Sequence, residues 1–190
     1  MYFDCYRISD LPRERLQQAY ARLSPSRKVY IDRLKRQEDK DRSLAGELLI
    51  QDLLQKHYGI TTAVLHRKEN GQPYLTGCDL HLSISHSDEM VAGVINEKPV
   101  GIDIEKIRPI KLSMCRHVCT PEENAYLQID DTQGDRCEDP VFLQRFFEIW
   151  TAKEAYFKKC GTGITNLKSV NSLTLSRQMH ILGDYILHII

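Results

Sequence analysis

Residues 100–110 read VGIDIEKIRPI, and isoleucines alternate with carboxylates in the first half of this stretch. Side chains two positions apart share one face of a strand, so Ile102 and Ile104 face one way and Asp103 and Glu105 face the other. The two carboxylates then lie roughly 6–7 Å apart. At an effective dielectric constant of about 20, their repulsion is at most about 2–3 kcal/mol. Water, a basic partner or a cation is needed to offset it.

Short links predict that this strand belongs to an antiparallel meander. HLSIS (81–85) alternates in polarity, and MVAGVIN (90–96) is apolar throughout, which is typical of a central strand. SHSDE and NEKP join these segments to each other and to VGIDIE (100–105), so the three strands are predicted to pair in sequence order. MYFDCYRI at the start of the sequence predicts a further strand.

Two long helical segments precede groups of strands. Residues 11–56 are predicted to be mostly helical, with leucines at helical spacing in their second half, and Gly59 ends the segment. PVFLQRFFEIWTAKEAYFKKCG (140–161) predicts a second long helix that ends at its final glycine. Two runs of long helix followed by strands indicate an α+β protein with two halves of similar size.

Local signals assign the shorter segments. Ser24-Pro25 and Thr120-Pro121 resemble N-caps followed by proline in the first helical turn, and Glu123 completes a capping box with Thr120. The other assignments are a weak helix over 107–119, a polar loop over 130–140, and short strands within 162–175 and 180–190.

Composition is that of an ordinary soluble protein. The 190 residues include 42% apolar residues, and 26 basic side chains balance 26 acidic ones. Net neutrality argues against a nucleic-acid or membrane partner, and no apolar run approaches the roughly 18 residues of a membrane span. No signal peptide is recognisable, and the six cysteines are scattered. Free thiols in a cytoplasmic protein are therefore expected.

A zinc site is an alternative use for some of these cysteines. Cys115, His117 and Cys119 could supply ligands, but they crowd into five residues without a second pair of ligands. We therefore favour free thiols over a metal centre at this position.

The segment WTAKEAYFK (150–158) carries polar residues at helical spacing. Trp150, Glu154 and Lys158 are four residues apart and share one helix face. One interpretation is a solvated Glu–Lys pair worth a few tenths of a kcal/mol. The alternative is that Trp150 docks on the protein body, so that Glu154 points inward.

Three carboxylates meet if this helix packs across the strand at 100–105. Asp103, Glu105 and Glu154 would offer only hard oxygen ligands, which suit Mg²⁺. A bound cation would then offset the repulsion within the strand. A solvated Asp-x-Glu edge is the alternative, and spacing alone does not decide between them.

Two turn-like motifs could bind phosphate. Ser85 and His86 lie at the end of a predicted strand, where a hydroxyl, an imidazole and turn N–H groups can contact an anion. NGQPYL (70–75) carries the Asn-Gly turn signal followed by a rigid proline. Either motif could equally be a turn with satisfied side chains.

Taken in order, NGQPYL, LSISHS, GIDIEKIRPI and FFEIWTAKEAYFKKCGTGI resemble the motifs of 4′-phosphopantetheinyl transferases of the Sfp type. LSPSRKVYIDRLKRQEDKDRSLAGELL is similar to the helical N-terminal segment of that type. The resemblance implies Mg²⁺-dependent transfer of phosphopantetheine from coenzyme A to a serine of an acyl or peptidyl carrier protein, with release of 3′,5′-ADP. It does not say whether the carrier serves fatty-acid, polyketide or nonribosomal peptide synthesis.

The resemblance also implies an architecture of two pseudo-symmetric α+β halves in a monomer, each with a helix packed on an antiparallel sheet. Residues 1–98 would supply contacts to the phosphates of coenzyme A. Residues 99–190 would carry the metal-binding and catalytic motifs.

Residue roles follow from matching positions. Asp103, Glu105 and Glu154 match the metal ligands. Glu154, directly or through a metal-bound water, would also take the proton of the attacking serine, and Lys158 would stabilise or protonate the leaving group. Two departures are Gln72, where the family often has lysine, and Tyr30, where some relatives have a basic residue, so weaker or differently arranged coenzyme A binding is expected. The expected coenzyme A contacts are Arg27, Arg42, Ser43, Gly71, Gln72, Pro73, Ser85 and His86.

Two other functions fit the same residues. A non-catalytic homologue would bind coenzyme A or a carrier protein, but it has no evident need for the full set of Asp103, Glu105, Glu154 and Lys158. A Mg²⁺-dependent hydrolase would cleave nucleotide phosphates without any acceptor protein.

Overall fold

The structure, a computed structural model, describes residues 1–129 and 136–190 and is a mixture of helices and short antiparallel strands. The strands are β1 Tyr2–Arg7, β2 Val64–Arg67, β3 Pro73–Thr76, β4 His81–Ser87, β5 Met90–Asn96, β6 Ile102–Lys106, β7 Ile110–Lys111, β8 Arg136–Cys137, β9 Gln178–Leu182 and β10 Tyr185–Ile189. The helices are α1 Arg13–Arg22, α2 Pro25–Arg33, α3 Gln37–Tyr58, α4 Ser113–Val118, α5 Pro121–Leu127 and α6 Pro140–Cys160. Single 3₁₀ turns cover Ile8–Asp10, Leu167–Ser169 and Ser172–Thr174.

Two three-stranded antiparallel sheets repeat one topology. The first has the order β1-β5-β4 and the second has the order β6-β10-β9. In each, an opening strand leads to a long helix, and a closing hairpin then places its last strand in the centre of the sheet. Helix α3 packs on the first sheet and α6 packs on the second. The predicted α+β class is confirmed.

Alternation along the strands divides the interior into three apolar clusters. Val91 and Ile95 of β5 pack against α3, whereas Val94 on the other face packs against the second sheet. This central strand is buried on both faces, which explains why its sequence is apolar throughout. Ile102 and Ile104 of β6 lie in the cluster between the sheets. The third cluster lies under α6.

The predicted helix boundaries are confirmed. The Ser24 hydroxyl accepts a hydrogen bond from the Arg27 amide at 3.3 Å. The reciprocal capping box of Thr120 and Glu123 is present. Gly59 and Gly161 end the two long helices with φ of +66° and +69°, values that glycine adopts without steric cost.

Close approach of α6 to the second sheet depends on Gly101, just before β6. A Cβ atom added there would overlap the carbonyl oxygen of Ala155 and lie 2.7 Å from the amide nitrogen of Lys159. Both atoms belong to the α6 backbone, so the missing side chain lets the helix lie directly on the strand.

The predicted three-stranded meander is wrong in its last member. β4 and β5 pair as expected, but β6 pairs with β10, which comes from the segment 180–190 where short strands were predicted. The link at 96–99 is short because it passes from one sheet to the other.

Other assignments need smaller corrections. Residues 162–175 contain 3₁₀ turns where strands were predicted, and only 113–118 of the weak helix is helical. Of the predicted loop at 130–140, residues 130–135 lie outside the described part, and β8 pairs with β7 just after it. Among the described helices, none combines the length and apolar character needed to cross a membrane.

Candidate active site

Alternate serines of β4 bind β6 and thereby join the two sheets. Ser83, Ser85 and Ser87 are buried and project toward β6. The hydroxyl of Ser83 accepts the amide N–H of Ile102 at 3.2 Å, and that of Ser87 accepts the amide N–H of Lys106 at 3.2 Å. The LSISHS motif therefore has a structural role that its resemblance to a phosphate-binding turn did not indicate.

Asp103 lies at the centre of this junction and is only 2% exposed. Its Oδ1 accepts hydrogen bonds from the Ser85 hydroxyl at 2.7 Å and from the Lys158 ammonium at 2.6 Å. Lys158 also donates to the Ser85 oxygen at 2.8 Å. Burial raises the pKa of Asp103 and outweighs the opposing effects of Lys158 and Ser85. Its second oxygen, Oδ2, is buried without a hydrogen-bond partner among the described residues.

Glu105 lies next along β6 in a more exposed setting. Its Oε2 accepts a 2.7 Å hydrogen bond from the Ser87 hydroxyl and forms a 3.0 Å ion pair with Arg108. The Arg108 side chain is 55% exposed, so this pair is screened by solvent and leaves Glu105 available to another cation.

Glu154 points from α6 toward the same junction. No hydrogen bond or ion pair of its carboxylate is found in the described ranges. Burial, followed by the charge of Asp103, raises the pKa of Glu154 to about 7. Lys158 pairs with Asp103 and not with Glu154, so the predicted solvated Glu–Lys pair is not formed. Trp150 packs half-buried against Phe146, as the inward alternative required.

The three carboxylates fit a divalent cation by their chemistry. The set contains only hard oxygen atoms and includes the unpartnered Oδ2 of Asp103. It also holds an unpaired Glu154, whose pKa is raised by burial and then by its acidic neighbours. As they stand, however, no three His, Cys, Asp or Glu side chains in the described ranges are arranged as a ready metal site. Side-chain rotation is therefore required before Asp103, Glu105 and Glu154 could bind one ion together.

The zinc alternative is wrong for Cys115, His117 and Cys119. The two cysteines are buried and hydrogen-bonded to each other, whereas His117 is exposed. The three side chains therefore do not form a common set of ligands, and no group of three His, Cys, Asp or Glu side chains in the described part of the chain is arranged so that it could hold a metal ion.

A cleft of about 790 Å³ opens between α2, α3 and the β2–β3 hairpin and ends at β4. Gly71 lines it from the hairpin turn with φ of +83°, and His86 lines it from β4. Of the eight expected coenzyme A contacts, the structure places five on its wall: Arg27, Arg42, Ser43, Gly71 and His86.

Arg27 is held mainly by the protein itself. Its Nε forms a 2.8 Å ion pair with Glu47, whose side chain is only 2% exposed, and its Nη2 donates to Ser43 at 2.6 Å. Burial raises the pKa of Glu47, and the charge of Arg27 opposes that shift. The guanidinium also lies 4.6 Å from the centre of the Tyr30 ring. Arg27 and Ser43 thus form the floor of the cleft.

Arg42 and His86 face the cleft near its inner end. Arg42 pairs with Asp39 at 2.8 Å and donates to the carbonyl oxygen of Asp88 at 3.0 Å. Part of His86 is accessible to solvent, but desolvation within the cleft, aided by the charges of Lys158 and Arg42, lowers its pKa. His86 is therefore neutral near pH 7 and can act as a hydrogen-bonding group.

Gln72 and Pro73 line a smaller cavity of about 250 Å³ that adjoins the cleft and is also lined by Lys158. The Asn70 side chain donates to the carbonyl oxygen of Gly161 at 3.0 Å, and a Cβ at Gly161 would lie 2.5 Å from Gln72 Nε2. The NGQP turn thus contacts the end of α6 and positions the cleft next to the carboxylates.

Sequence reasoning missed two basic residues on the cleft wall, Arg67 and Lys68. They immediately precede the NGQP turn, in the segment HRKENGQP. Two consecutive cations before a turn that is itself a phosphate-binding prediction were a signal that could have identified them.

Comparison with known proteins relates both halves of the chain to one family. A model described as 4′-phosphopantetheinyl transferase, N-terminal, matches residues 12–98, and a model of the 4′-phosphopantetheinyl transferase superfamily matches residues 99–182.

Individual relatives carry the same description. A 4′-phosphopantetheinyl transferase of Bacillus subtilis is 30% identical over 166 residues, which are 85% of this chain and 70% of the relative. The enzyme gsp of Aneurinibacillus migulanus is 40% identical over 129 residues, 67% of this chain and 51% of the relative. Sfp of Bacillus subtilis strain 168 is 27% identical over 166 residues, 86% of this chain and 71% of the relative.

Proposed function

Because the chain belongs to the 4′-phosphopantetheinyl transferase superfamily, we propose that it transfers phosphopantetheine from coenzyme A to a serine of an acyl or peptidyl carrier protein. The observation that supports this most directly is the junction of Asp103, Glu154 and Lys158 beside a cleft lined by cations. Such a cleft suits a ligand with several phosphates, and the junction suits phosphoryl transfer next to it.

In the proposed reaction, the serine oxygen of the carrier forms a bond to the phosphorus that bears pantetheine. The bond from that phosphorus to the oxygen of 3′,5′-ADP breaks, and 3′,5′-ADP leaves. Glu154 accepts the serine proton, a role that its lack of a partner and a pKa of about 7 support. The Lys158 ammonium, which lines the cavity next to the cleft, would stabilise charge on the leaving oxygen.

Asp103, Glu105 and Glu154 would hold Mg²⁺ after side-chain rotation. When bound, the ion neutralises the pyrophosphate and stabilises charge that develops during transfer. The same ion would relieve the repulsion among the three carboxylates and give the orphaned Asp103 Oδ2 a partner.

We further propose that the two halves of the chain have different roles. Residues 1–98 would contribute the coenzyme A contacts, residues 99–190 would contribute the metal and catalytic groups, and the protein would act as a monomer. Its six free cysteines suit a reducing compartment, and we propose the cytoplasm. Size-exclusion chromatography with light scattering and cell fractionation test the last two points.

Intact-protein mass spectrometry tests the reaction. Apo carrier proteins from fatty-acid, polyketide and peptide synthesis are incubated with the protein, coenzyme A and Mg²⁺, and a parallel sample contains EDTA. We expect a mass gain of one phosphopantetheine group on the carrier serine, abolished by EDTA. Coenzyme A binding without any gain would favour the non-catalytic reading, and cleavage of coenzyme A without a carrier would favour a hydrolase.

A further inference from the structure

The two-residue turn between β4 and β5, Asp88-Glu89, contains an unusual backbone angle. Asp88 has a φ of +51°, and Gln128 is the only other non-glycine residue in the described ranges with a positive φ. A side chain at such an angle crowds the backbone, although aspartate tolerates it better than most residues. The conformation persists only where surrounding contacts hold it, so contacts of Asp88 must fix the turn.

The Asp88 carboxylate is held by the second half of the chain. Its Oδ2 forms a 2.6 Å ion pair with Lys106 of β6 and accepts a 3.4 Å hydrogen bond from the Tyr185 hydroxyl of β10. The hydrogen bond from Lys106 lowers the pKa of Asp88, so the carboxylate is charged at neutral pH. Because Lys106 directly follows the proposed metal ligand Glu105, the turn is anchored beside the catalytic junction.

The backbone carbonyl of the same residue contacts the first half of the chain. It accepts a 3.0 Å hydrogen bond from Arg42 Nε of α3, and Asp39 forms a 2.8 Å ion pair with Arg42 Nη1. These two contacts fix the plane of the guanidinium on the wall of the cleft. Arg42 Nη2 has no partner in the described part of the chain, so one nitrogen of an oriented arginine remains free to donate to a ligand.

Glu89, the other residue of the turn, has a different partner. Its carboxylate forms a 2.9 Å ion pair with Arg7 at the end of β1. The side chain of Glu89 is 54% exposed and that of Asp88 is 46% exposed, so the two ion pairs are similarly open to solvent. Ion pairs this exposed contribute little to stability. What distinguishes Asp88 is that its ion pair and its carbonyl connect the catalytic junction with the cleft.

We propose that Asp88 is a positioning residue, whose side chain, held by Lys106, fixes the backbone carbonyl that orients Arg42 toward coenzyme A. Asp88 is not among the residues that line the cleft, so it acts through Arg42 and does not touch the ligand. The inference rests on the proposed function, because coenzyme A is the ligand of the cleft. It makes the orientation of an arginine in the first half of the chain depend on a lysine in the second.

Calorimetric coenzyme A affinity and the kinetics of carrier modification test the proposal. Asp88→Ala should weaken coenzyme A binding about three- to tenfold and change kcat less than about twofold, because only the orientation of Arg42 is lost. Lys106→Met, which breaks the same ion pair without altering the turn backbone, should weaken binding about threefold. Asp88→Asn should bind normally, since asparagine tolerates a positive φ and its amide oxygen can accept from Lys106. Glu89→Ala is the matched control and should also bind normally.

A double variant distinguishes positioning from a general structural effect. Arg42→Ala should weaken coenzyme A binding about tenfold, through the loss of a charged hydrogen-bond donor. Adding Asp88→Ala to Arg42→Ala should cause no further loss, because the two residues act as one unit. A further loss in the double variant, or normal affinity in either single variant, would overturn the inference.

The same measurements separate this inference from the proposed function. If the affinities follow the expected pattern but the wild type modifies no carrier, the transferase proposal fails and the inference stands. Normal carrier modification with affinities that do not follow the pattern overturns the inference alone. A wild type that does not bind coenzyme A contradicts both.

Discussion

At the scale of single residues, three carboxylates converge where α6 crosses β6, and each has a different neighbour. Asp103 is buried and forms an ion pair with Lys158, whereas Glu105 forms an ion pair with exposed Arg108. Glu154 has no hydrogen-bond or ion-pair partner among the described residues. Carboxylates in environments that differ in this way take different chemical roles. Only Glu154 combines a raised pKa with a free carboxylate, which is why we assign the proton-accepting role to it.

Glu154→Gln should remove most transfer activity and leave the fold intact. The amide cannot accept a proton, so we expect kcat to fall by about 10²–10⁴-fold. Because Glu154 forms no hydrogen bond in the described structure, the melting temperature should not fall. Carrier modification rates and thermal melts check both points, with Glu148→Gln, a half-buried α6 residue that accepts a hydrogen bond from Gln144, as the control. Near-normal turnover in Glu154→Gln would refute both the base and the metal-ligand assignment.

Lys158→Ala should slow chemistry more than it weakens coenzyme A binding. The ammonium lies 2.6 Å from Asp103 and next to the junction, not on the open wall of the cleft. Removing a group that stabilises the leaving oxygen should lower kcat by about 10²–10³-fold, with a much smaller change in the KM for coenzyme A. Steady-state kinetics at saturating carrier measure this split. A change confined to KM would make Lys158 a phosphate contact only.

At the scale of elements, the contact between α6 and β6 sets the distance between Glu154 and Asp103. Gly101→Ala would drive a methyl group into the α6 backbone at Ala155, so we expect a loss of about 3 kcal/mol in the free energy of unfolding together with reduced activity. Urea unfolding gives the first quantity. Gly46→Ala on α3 is the matched control, because its added Cβ would meet side-chain atoms of Ile84 and Val91, the nearest at 3.1 Å, and not the backbone of another element. Equal stability of the two variants would contradict the close approach of α6.

The buried contact between α6 and β10 predicts a loss of stability in acid. Thr151 Oγ1 donates to the Phe147 carbonyl oxygen at 2.7 Å, so the 2.6 Å contact between Thr151 and His188 Nδ1 requires His188 to donate. His188 Nε2 is then an unprotonated, buried atom without a partner in the described ranges. Burial lowers the pKa of His188 from 6.5 to about 3.

Because the unfolded imidazole binds a proton that the folded one does not, this contribution to stability is complete above pH about 6.5 and is lost as the pH falls toward 3. The full effect is on the order of 3–5 kcal/mol. Urea unfolding is measured between pH 7.5 and pH 4.5, a range that covers much of this window. The free energy of unfolding should fall steeply with decreasing pH for the wild type and less steeply for His188→Gln. Parallel curves for the two proteins would show that folding does not lower the pKa of His188.

Elements whose signals are local were predictable from the sequence. Gly59, Gly161 and the Thr120 capping box depend on contacts within a single helical turn, and their predictions are confirmed. The pairing of β6 with β10 was not predictable, because it joins distant parts of the chain and the short link at 96–99 favoured the wrong neighbour. The structure adds the physical reason: the Ser83 and Ser87 hydroxyls bind N–H groups of β6 on its side toward β4.

The site was predictable to a similar extent. Side-chain periodicity left open whether Asp103, Glu105 and Glu154 converge, and the family resemblance indicated that they do. The partners of cations were not predictable, since an arginine in a sequence carries no sign of whether a buried acid such as Glu47 already neutralises it. For this reason Arg67 and Lys68 were missed in favour of Arg27.

At the scale of the whole molecule, two sheets of equal topology share one apolar cluster formed by residues of β5, β6 and β10. Neither half can expose its side of this cluster without losing stability that comes from the burial of apolar surface. The serine hydroxyls of β4 and the Asn70–Gly161 contact add polar links across the same junction. The proposed active site lies on that junction, so its geometry depends on both halves being folded.

This dependence predicts that the described molecule unfolds as one unit, and a variant in the first half can test it. Leu49→Ala removes a fully buried side chain between α3 and β5 and should cost about 2–5 kcal/mol. The single tryptophan, Trp150, lies on α6 in the other half, and its fluorescence therefore reports on a region that Leu49 does not contact. If the halves are coupled, Leu49→Ala lowers the urea midpoint of Trp150 fluorescence by the same amount as the midpoint of far-ultraviolet circular dichroism. If the fluorescence midpoint instead stays at its wild-type value while the dichroism curve becomes biphasic, the halves unfold independently. An active site that spans the two halves would then have to assemble from two separately stable parts.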